Sequence, residues 1–432
     1  MRTETIPLEK TQSFSPFFID YINQKEELKP FYSEFPSVPN FKQAIESRAF
    51  PEENRTALVN TLKDQYQDIE ISDAVRQNID SLLDTKTFTV TTGHQLNLCT
   101  GPLYFIYKIV SVINACKTLR AAYPEYQFVP VYWMASEDHD FDEINHFYFG
   151  GKEYAWETDQ SGAVGHFDLD SLSDILDQLP DGASFFKKAY TKETLADAVR
   201  DYVNYLFGEE GLVVVDADAP DLKKLFTSVM EDDLFQHQIE KIVTDTSAEL
   251  AQLGYKTQVN AREINFFFLE DGIRERIERK GDEYVVLNSD QKFSEKEMRE
   301  LIQNRPECLS PNVILRPLYQ ETILPNLAYI GGPSEAIYWL QLKGVFDHFN
   351  TAFPMLMPRN FGVVVPEATL AKWDKTGLSK EDLFLKADAA FEKWVKANSD
   401  HDLSFDKEMK ELKHFEDQLK SKVTSIDQSL SQ

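Results

Sequence analysis

One histidine of this sequence lies where a strand-like segment meets a helix-like segment, a junction suited to phosphate chemistry. His94 lies within TGHQLNLCTGP (92–102), between a β-branched run and an apolar stretch with helical spacing. Open α/β sheets bind ligands in such loops, beyond the carboxyl ends of strands and close to helix N-termini. Gly93 and Gly101 permit the tight turns that such a loop needs. We expect His94 and the free amides to bind a phosphate group, although a buried turn capped by a histidine accounts for the pattern equally well.

A second loop carries four consecutive ionisable residues directly after another strand-like segment. Within WMASEDHDFDEINH (133–146) these residues are Glu137, Asp138, His139 and Asp140. Because the loop also follows a strand, we expect it at the same sheet edge as the first loop. Carboxylates beside a histidine can position an amine, act as a general base or bind a hydrated magnesium ion. The competing interpretation is an acidic helix N-terminus that is simply solvated.

A third loop, AYIGGPSEAIYW (328–339), has the same form, with two glycines and a proline before a helical pattern. Its candidate anion contacts are Gly331, Gly332 and Ser334. Upstream, Arg316 lies in a segment that we predict to be a strand, and it could form a bidentate pair with a substrate carboxylate. An ordinary structural ion pair is the alternative for this arginine. Lys108 is a further cation near these predicted edges.

The elements that must position these loops alternate between strands and helices. Buried-strand patterns cover 87–92, 128–135, 211–218, 312–325 and 353–360, with helical patterns between them, including one near 334–348. This alternation predicts an α/β fold with a doubly wound parallel sheet. Insertions are expected near 145–175 and 257–300. The second should be a meander with turns at Asp271-Gly272 and Gly281-Asp282.

Composition and charge exclude several classes of function. The 432 residues include 45 basic and 72 acidic side chains, a formal net charge of −27, which disfavours nucleic acid as a partner. The three cysteines are scattered, so neither disulfides nor a thiolate zinc site is expected. We find no apolar signal core and no run of about 20 apolar residues, and therefore expect a cytoplasmic protein without membrane contact.

The C-terminal segment has a heptad pattern. Its seam advances by four and three residues, with one polar position, through Phe405, Met409, Leu412, Glu416, Leu419, Val423, Ile426 and Leu430. This spacing predicts a long amphipathic helix that pairs with another helix of this chain or with a second copy. The pattern reaches the last residues without a C-cap signal, so we expect the sequence to be part of a longer protein.

Several of these segments together resemble the cysteine-adding enzymes of bacillithiol biosynthesis. The resemblance rests on TGHQLNLCTGPLYFIYK, VYWMASEDHDFDEINH, RPLYQETILPNLAYIGGPSE and FPMLMPRN. It implies a Rossmann-like core over 1–375 and an α-helical coiled-coil domain over 380–432 that forms a homodimer. It also implies a ligase that forms an amide bond between L-cysteine and the amine of glucosaminyl-malate, in the last step of bacillithiol biosynthesis.

The resemblance, together with the positions of the three loops, suggests roles for the candidate residues. The implied core is similar to nucleotidyltransferases of the class I aminoacyl-tRNA synthetase kind, in which loop histidines bind ATP phosphates, and His94 matches that position. ATP, with or without Mg²⁺, is therefore the expected co-substrate. We expect catalysis by His94, Asp138 and His139, and nucleotide contacts from Thr92, Gly93, Gly101, Gly331, Gly332 and Ser334. Substrate contacts are expected from Gln95, Lys108, Glu137, Asp140, Arg316 and Gln320, and no residue is expected to bind a metal.

Two departures from the synthetase pattern leave the activation step open. No pair of cysteines could hold a zinc ion for thiol recognition, and no lysine–serine loop follows near residue 360. Activation through an adenylate and activation through an acyl phosphate therefore both remain possible. The alternative function is a non-catalytic, nucleotide-binding scaffold that recruits pathway enzymes through its coiled coil.

Overall fold

The predicted alternation of strands and helices is present in the computed structural model, which describes residues 3–399 and 405–426. The strands are β1 Thr87–His94, β2 Gln127–Met134, β3 His146–Phe149, β4 Lys152–Ala155, β5 Val213–Asp216, β6 Phe266–Glu270, β7 Ile273–Lys280, β8 Glu283–Val286, β9 Lys292–Ser294, β10 Leu309–Pro311, β11 Asn326–Gly331 and β12 Met355–Pro358. Helices before β10 are α1 Pro16–Ile22, α2 Val38–Ser47, α3 Glu52–Gln65, α4 Asp73–Ser81, α5 Leu103–Ala122, α6 Ser173–Leu176, α7 Ser184–Ala189, α8 Leu195–Phe207, α9 Pro220–Lys223, α10 Thr227–Gln236, α11 Gln238–Gln252 and α12 Glu295–Asn304. Later helices are α13 Arg316–Ile323, α14 Pro333–Leu340, α15 Lys343–His348, α16 Glu367–Asp374, α17 Ala387–Asn398 and α18 Asp406–Ile426.

Five parallel strands form the central sheet in the order β12-β11-β1-β2-β5. The chain proceeds from β1 outward through β2 to β5, and then crosses to the other side of β1 to add β11 and β12. Strand order therefore reverses between β1 and β11. In open α/β sheets a ligand crevice lies at such a switch point, outside the carboxyl ends of the strands. The predicted α/β fold with a Rossmann-like parallel sheet is confirmed.

The register between β1 and β11 is fixed by threonine hydroxyl groups. Thr89 and Thr91 both donate to Asn326 Oδ1, at 3.1 and 2.9 Å, and Thr92 Oγ1 donates to the Ile330 carbonyl at 2.7 Å. All three threonines are fully buried. Buried hydroxyls need such partners, so these bonds hold the two strands together up to the edge where the crevice opens. An apolar cluster under the sheet includes Phe88, Val90, Val112, Cys116, Phe128, Leu327 and Met355.

Two antiparallel sheets form in the predicted insertions, and the second also includes β10, which lies beyond residue 300. The hairpin of β3 and β4 lies within the first insertion. The second sheet has the order β10-β6-β7-β8-β9. Its predicted turns are confirmed, and Gly272 and Gly281 adopt φ values of +70° and +66° there. Such positive φ angles favour glycine, which explains why the two sequence signals were readable.

One strand prediction is wrong. Residues 312–325 were expected to form a strand, but helix α13 occupies 316–323 and the strand is β11, at 326–331. Pro317 lies at the start of α13, where its missing N–H removes no helical hydrogen bond. Most residues of α13 are buried on every side, so the segment lacks the polar face that distinguishes a helix from a buried strand. The Arg316 and Gln320 side chains therefore project from a helix.

The chain divides into two compact units, one of residues 16–362 and one that combines the N-terminal segment up to residue 15 with residues from 363 onward. In the second unit, α18 confirms the predicted long helix over 406–426, and Leu430 of the predicted seam lies outside the described residues. Seam residues Phe405, Met409, Leu412, Leu419 and Ile426 are exposed. No helix within the described ranges combines the length and the apolar character needed to cross a membrane.

Candidate active site

A cavity of about 390 Å³ opens at the carboxyl edge of the sheet, beside the switch point between β1 and β11. It is reached by the ends of three neighbouring strands, because β1 lies between β2 and β11. Seven of the residues selected from the sequence line this cavity: Gly93, His94, Gln95, Lys108, Asp138, Arg316 and Gln320. Its other lining residues include Tyr104, Trp133, Glu143, Tyr329, Glu335, Tyr338 and Trp339.

Lys108 and Glu335 form an ion pair in the cavity wall. The Lys108 Nζ atom lies 2.7 Å from Glu335 Oε2 and donates to the Gly93 carbonyl at 2.8 Å. Glu335 also accepts from the Tyr329 hydroxyl at 2.6 Å and from the Gly332 N–H at 2.7 Å. Burial would raise the pKa of Glu335, but Lys108 and these donors together lower it, so the carboxylate is ionised. The Gly332 amide, predicted to bind an anion, thus already donates to the Glu335 carboxylate of the same chain.

His94 is a neutral imidazole with an unused nitrogen. Its ring packs between Tyr104 and Phe105, with centroid distances of 5.4 and 5.3 Å. Burial, followed by the positive charge of Lys108, lowers the pKa of His94 to about 3. Its Nε2 atom is buried and has no hydrogen-bond partner among the residues that the structure describes. A neutral imidazole has one donor and one acceptor, so His94 can offer a hydrogen bond to a ligand but not a positive charge.

Asp138 and Arg316 form a second charged pair that lines the cavity. The Arg316 Nη1 atom lies 3.8 Å from Asp138 Oδ2, and the arginine side chain is 30% exposed. Asp138 Oδ1 accepts from the backbone N–H of His139 at 2.8 Å. Burial raises the pKa of Asp138, yet Arg316, Arg274 and the backbone donors outweigh it, so the pKa is lowered and the group is a carboxylate at neutral pH. At 3.8 Å the pair is loose, which leaves guanidinium donors for a ligand oxyanion.

His139 and Glu137 lie beside the cavity without lining it. Arg274 Nη1 contacts His139 Nδ1 at 2.5 Å, and burial together with Arg274 lowers the pKa of His139. Because an arginine can only donate, His139 Nδ1 is the acceptor in this contact. Glu137 accepts from the fully buried Lys223 at 2.5 Å. Both side chains that were predicted to act on substrate are therefore engaged by basic residues of the chain.

The remaining predicted residues shape the loops. Thr92 is tied to β11 by its hydroxyl, and Gly331 ends that strand. Gly101 has φ +58°, and a Cβ there would lie 2.5 Å from the Asn97 Cβ, so only glycine fits this turn. Asp140 and Ser334 are exposed and do not line the cavity.

Sequence reasoning missed the aromatic and acidic wall of the cavity. Glu335, Tyr338 and Trp339 line it from one helix, α14, at spacings of three and four residues. That spacing places side chains on one helical face and was readable within the segment 328–339 itself. Tyr329 stacks on Trp339, with ring centroids 4.5 Å apart and planes inclined by 19°. The cavity thus combines flat apolar walls with a few charged groups, the usual character of a small-molecule site.

Comparison with known proteins identifies the family. The N-terminal Rossmann-like domain of the bacillithiol biosynthesis protein BshC matches residues 1–360, and its C-terminal coiled-coil domain matches residues 362–432. A protein of Cytophaga hutchinsonii is 44% identical over 428 residues, which cover 99% of this chain and 82% of the relative. A protein of Flavobacterium johnsoniae is 48% identical over 399 residues, 89% of this chain and 75% of the relative. Both relatives bear the name "Putative cysteine ligase BshC". The chain therefore belongs to the BshC family of bacillithiol biosynthesis.

Proposed function

We propose that this protein is a ligase that joins the carboxyl group of L-cysteine to the amine of glucosaminyl-malate, in the last step of bacillithiol biosynthesis. The names of the relatives support cysteine ligation. The observation that carries the proposal to this chain is the cavity at the strand-order switch point, which holds ionised Asp138, loosely paired Arg316 and the unpaired Nε2 atom of His94.

The reaction needs an activated carboxyl group, because a carboxylate is a poor acyl donor at neutral pH. ATP would supply that activation by converting one carboxylate oxygen into a phosphate-bearing leaving group. The amine nitrogen then forms a bond to the carbonyl carbon, the bond from that carbon to the leaving oxygen breaks, and one proton leaves the nitrogen. Activation through an acyl phosphate would release ADP and then inorganic phosphate, and activation through an adenylate would release pyrophosphate and then AMP. Either route yields the amide and a proton.

Each role falls to a residue that lines the cavity. Asp138 holds the incoming amine and takes up its proton, since its carboxylate is ionised at neutral pH. Arg316 binds a malyl carboxylate through its guanidinium donors. His94 donates to a phosphate oxygen as a neutral imidazole. These donor types fit an anionic co-substrate and an amine-bearing acceptor in one cavity.

The decisive experiment is reconstitution. Purified protein incubated with cysteine, glucosaminyl-malate and ATP should yield a product whose mass equals the two substrates less one water. Nucleotide analysis of the same mixture shows AMP for adenylate activation and ADP for acyl-phosphate activation. Absence of the amide product in every mixture, with ATP unconsumed, would reject the ligase and favour the scaffold.

A further inference from the structure

Arg359 lies at the same sheet edge as His94, and none of the roles above uses it. It directly follows β12, and its backbone N–H donates to the Gly331 carbonyl at 2.9 Å. The N–H of the next residue, Asn360, donates to Ser111 Oγ on α5 at 3.0 Å. These two bonds hold the start of the loop after β12 against β11 and α5. The backbone that carries the Arg359 side chain is therefore fixed at the rim of the cavity.

Tyr104 connects Arg359 to the cavity. The Arg359 Cζ atom lies 5.2 Å from the centroid of the Tyr104 ring and 4.8 Å from that of Phe361. His94 contacts the same tyrosine ring, and Tyr104 itself lines the cavity. The Arg359 Nη1 atom donates to the Asn360 carbonyl at 3.0 Å. A guanidinium stacked on aromatic rings keeps its charge and presents its remaining edge donors to a ligand.

Two buried nitrogens at this rim lack partners. Arg359 Nε and His94 Nε2 are both buried and make no hydrogen bond to any described residue. The nearby carboxylate of Glu335 does not serve them, because Lys108, Tyr329 and the Gly332 amide already occupy it. Buried polar groups are nearly always paired in native proteins, so neighbouring unpaired nitrogens beside one cavity indicate a ligand.

We propose that Arg359, together with His94, forms an anion subsite that binds the phosphate groups of the nucleotide co-substrate. The identity of this ligand rests on the proposed function, whereas the subsite itself rests on the geometry around Tyr104. Arg359 and Arg316 then bind different anionic groups of the substrates. Arg359 binds phosphate at the rim, and Arg316 binds the carboxylates of the acceptor within the cavity.

Isothermal titration calorimetry with inorganic tripolyphosphate tests the subsite without requiring turnover. We expect the wild-type protein to bind this probe, and Arg359→Gln to weaken binding by about 10- to 100-fold, the range for one charge-assisted contact. Arg359→Lys keeps the charge but loses the planar array of guanidinium N–H donors. Its affinity should therefore lie between that of the wild type and that of Arg359→Gln. Arg299→Gln is the matched control, because Arg299 also stacks on an aromatic ring, 3.8 Å from the Phe235 centroid on α10, and does not line the cavity.

The outcomes separate this inference from the proposed function. Equal affinity of wild type and both Arg359 variants for tripolyphosphate, or no binding by the wild type, overturns the subsite even if the ligase is active. Binding that depends on Arg359 sustains the subsite even if no amide forms, and then the ligase proposal fails alone. In the active enzyme, Arg359→Gln should raise KM for ATP and leave KM for glucosaminyl-malate unchanged.

Discussion

The ammonium group of Lys108 lies 2.7 Å from the carboxylate of Glu335, and this contact joins the helix after β1 to the helix after β11. These are the strands between which the order of the sheet reverses. The pair therefore joins the two halves of the fold in the wall of the cavity. The Lys108 side chain is 5% exposed and that of Glu335 is 27% exposed, so solvent compensates little if one partner is lost.

Lys108→Met should destabilise the protein by about 3–5 kcal/mol, because it leaves a partly buried carboxylate without its cation. Chemical denaturation with urea measures the change in the free energy of unfolding. Lys396→Gln is the control, since Lys396 forms a comparably short but exposed pair with Glu392, and we expect little or no loss there. Similar losses of unfolding free energy in both variants would show that the Lys108–Glu335 pair stabilises the fold no more than an exposed pair does.

The low pKa of His94 should appear in the pH dependence of stability. The folded protein holds this pKa at about 3, below the value of 6.5 for an exposed histidine. Between those values only the unfolded chain binds the proton, so stability is lost as the pH falls. From pH 7 to pH 5 the loss should be about 2 kcal/mol, and His94→Asn should remove it.

Denaturation curves at the two pH values provide the measurement for His94. His414→Asn is the control, because His414 is exposed on α18 and its replacement should leave the wild-type pH dependence unchanged. A His94→Asn variant that loses as much stability as the wild type between pH 7 and pH 5 would contradict a buried neutral imidazole.

Asp138→Asn should reduce kcat by about 10²- to 10⁴-fold, because the amide cannot take up a proton from the incoming amine. Asp142→Asn is the matched control on the same loop, since Asp142 is exposed and does not line the cavity. Steady-state assays of amide formation compare the two variants. If both retain wild-type kcat, Asp138 is not the proton acceptor.

Arg316→Gln should raise KM for glucosaminyl-malate by about 10- to 100-fold, because a bidentate charged contact to a carboxylate is lost. The KM for cysteine should stay near the wild-type value. Arg316→Lys should restore part of the affinity through its charge. An equal rise in KM for both substrates would point to a distorted cavity in place of a lost carboxylate contact.

Patterns within one short segment were readable from the sequence. The β-branched run predicted the strand β1, and the loop after it contains His94, which lines the cavity. One helix was predicted near 334–348, and the structure has two there, α14 and α15. The strand predicted at 312–325 is wrong, because α13 is buried on nearly every side and shows no polar face.

Contacts between distant segments could not be read in the same way. Arg274, which donates to His139 Nδ1, comes from the insertion sheet. Lys223, which donates to Glu137, comes from α9. A run of ionisable residues shows which groups are available, but not which basic residue the fold sets against each of them. The sequence therefore indicated the acidic loop as a whole, and the structure separated Asp138 from its neighbours.

Gly93 lies beside the Tyr329 hydroxyl, which holds one partner of the ion pair in the cavity wall. A Cβ atom at residue 93 would lie 3.3 Å from the Tyr329 hydroxyl, which donates to Glu335 at 2.6 Å. One added methyl group would push that hydroxyl away from the carboxylate and loosen the partner of Lys108 in turn. The absence of a side chain at Gly93 thus leaves the space that the Tyr329 hydroxyl needs to reach Glu335. Even alanine, the smallest substitution, would weaken this contact and the ion pair that depends on it.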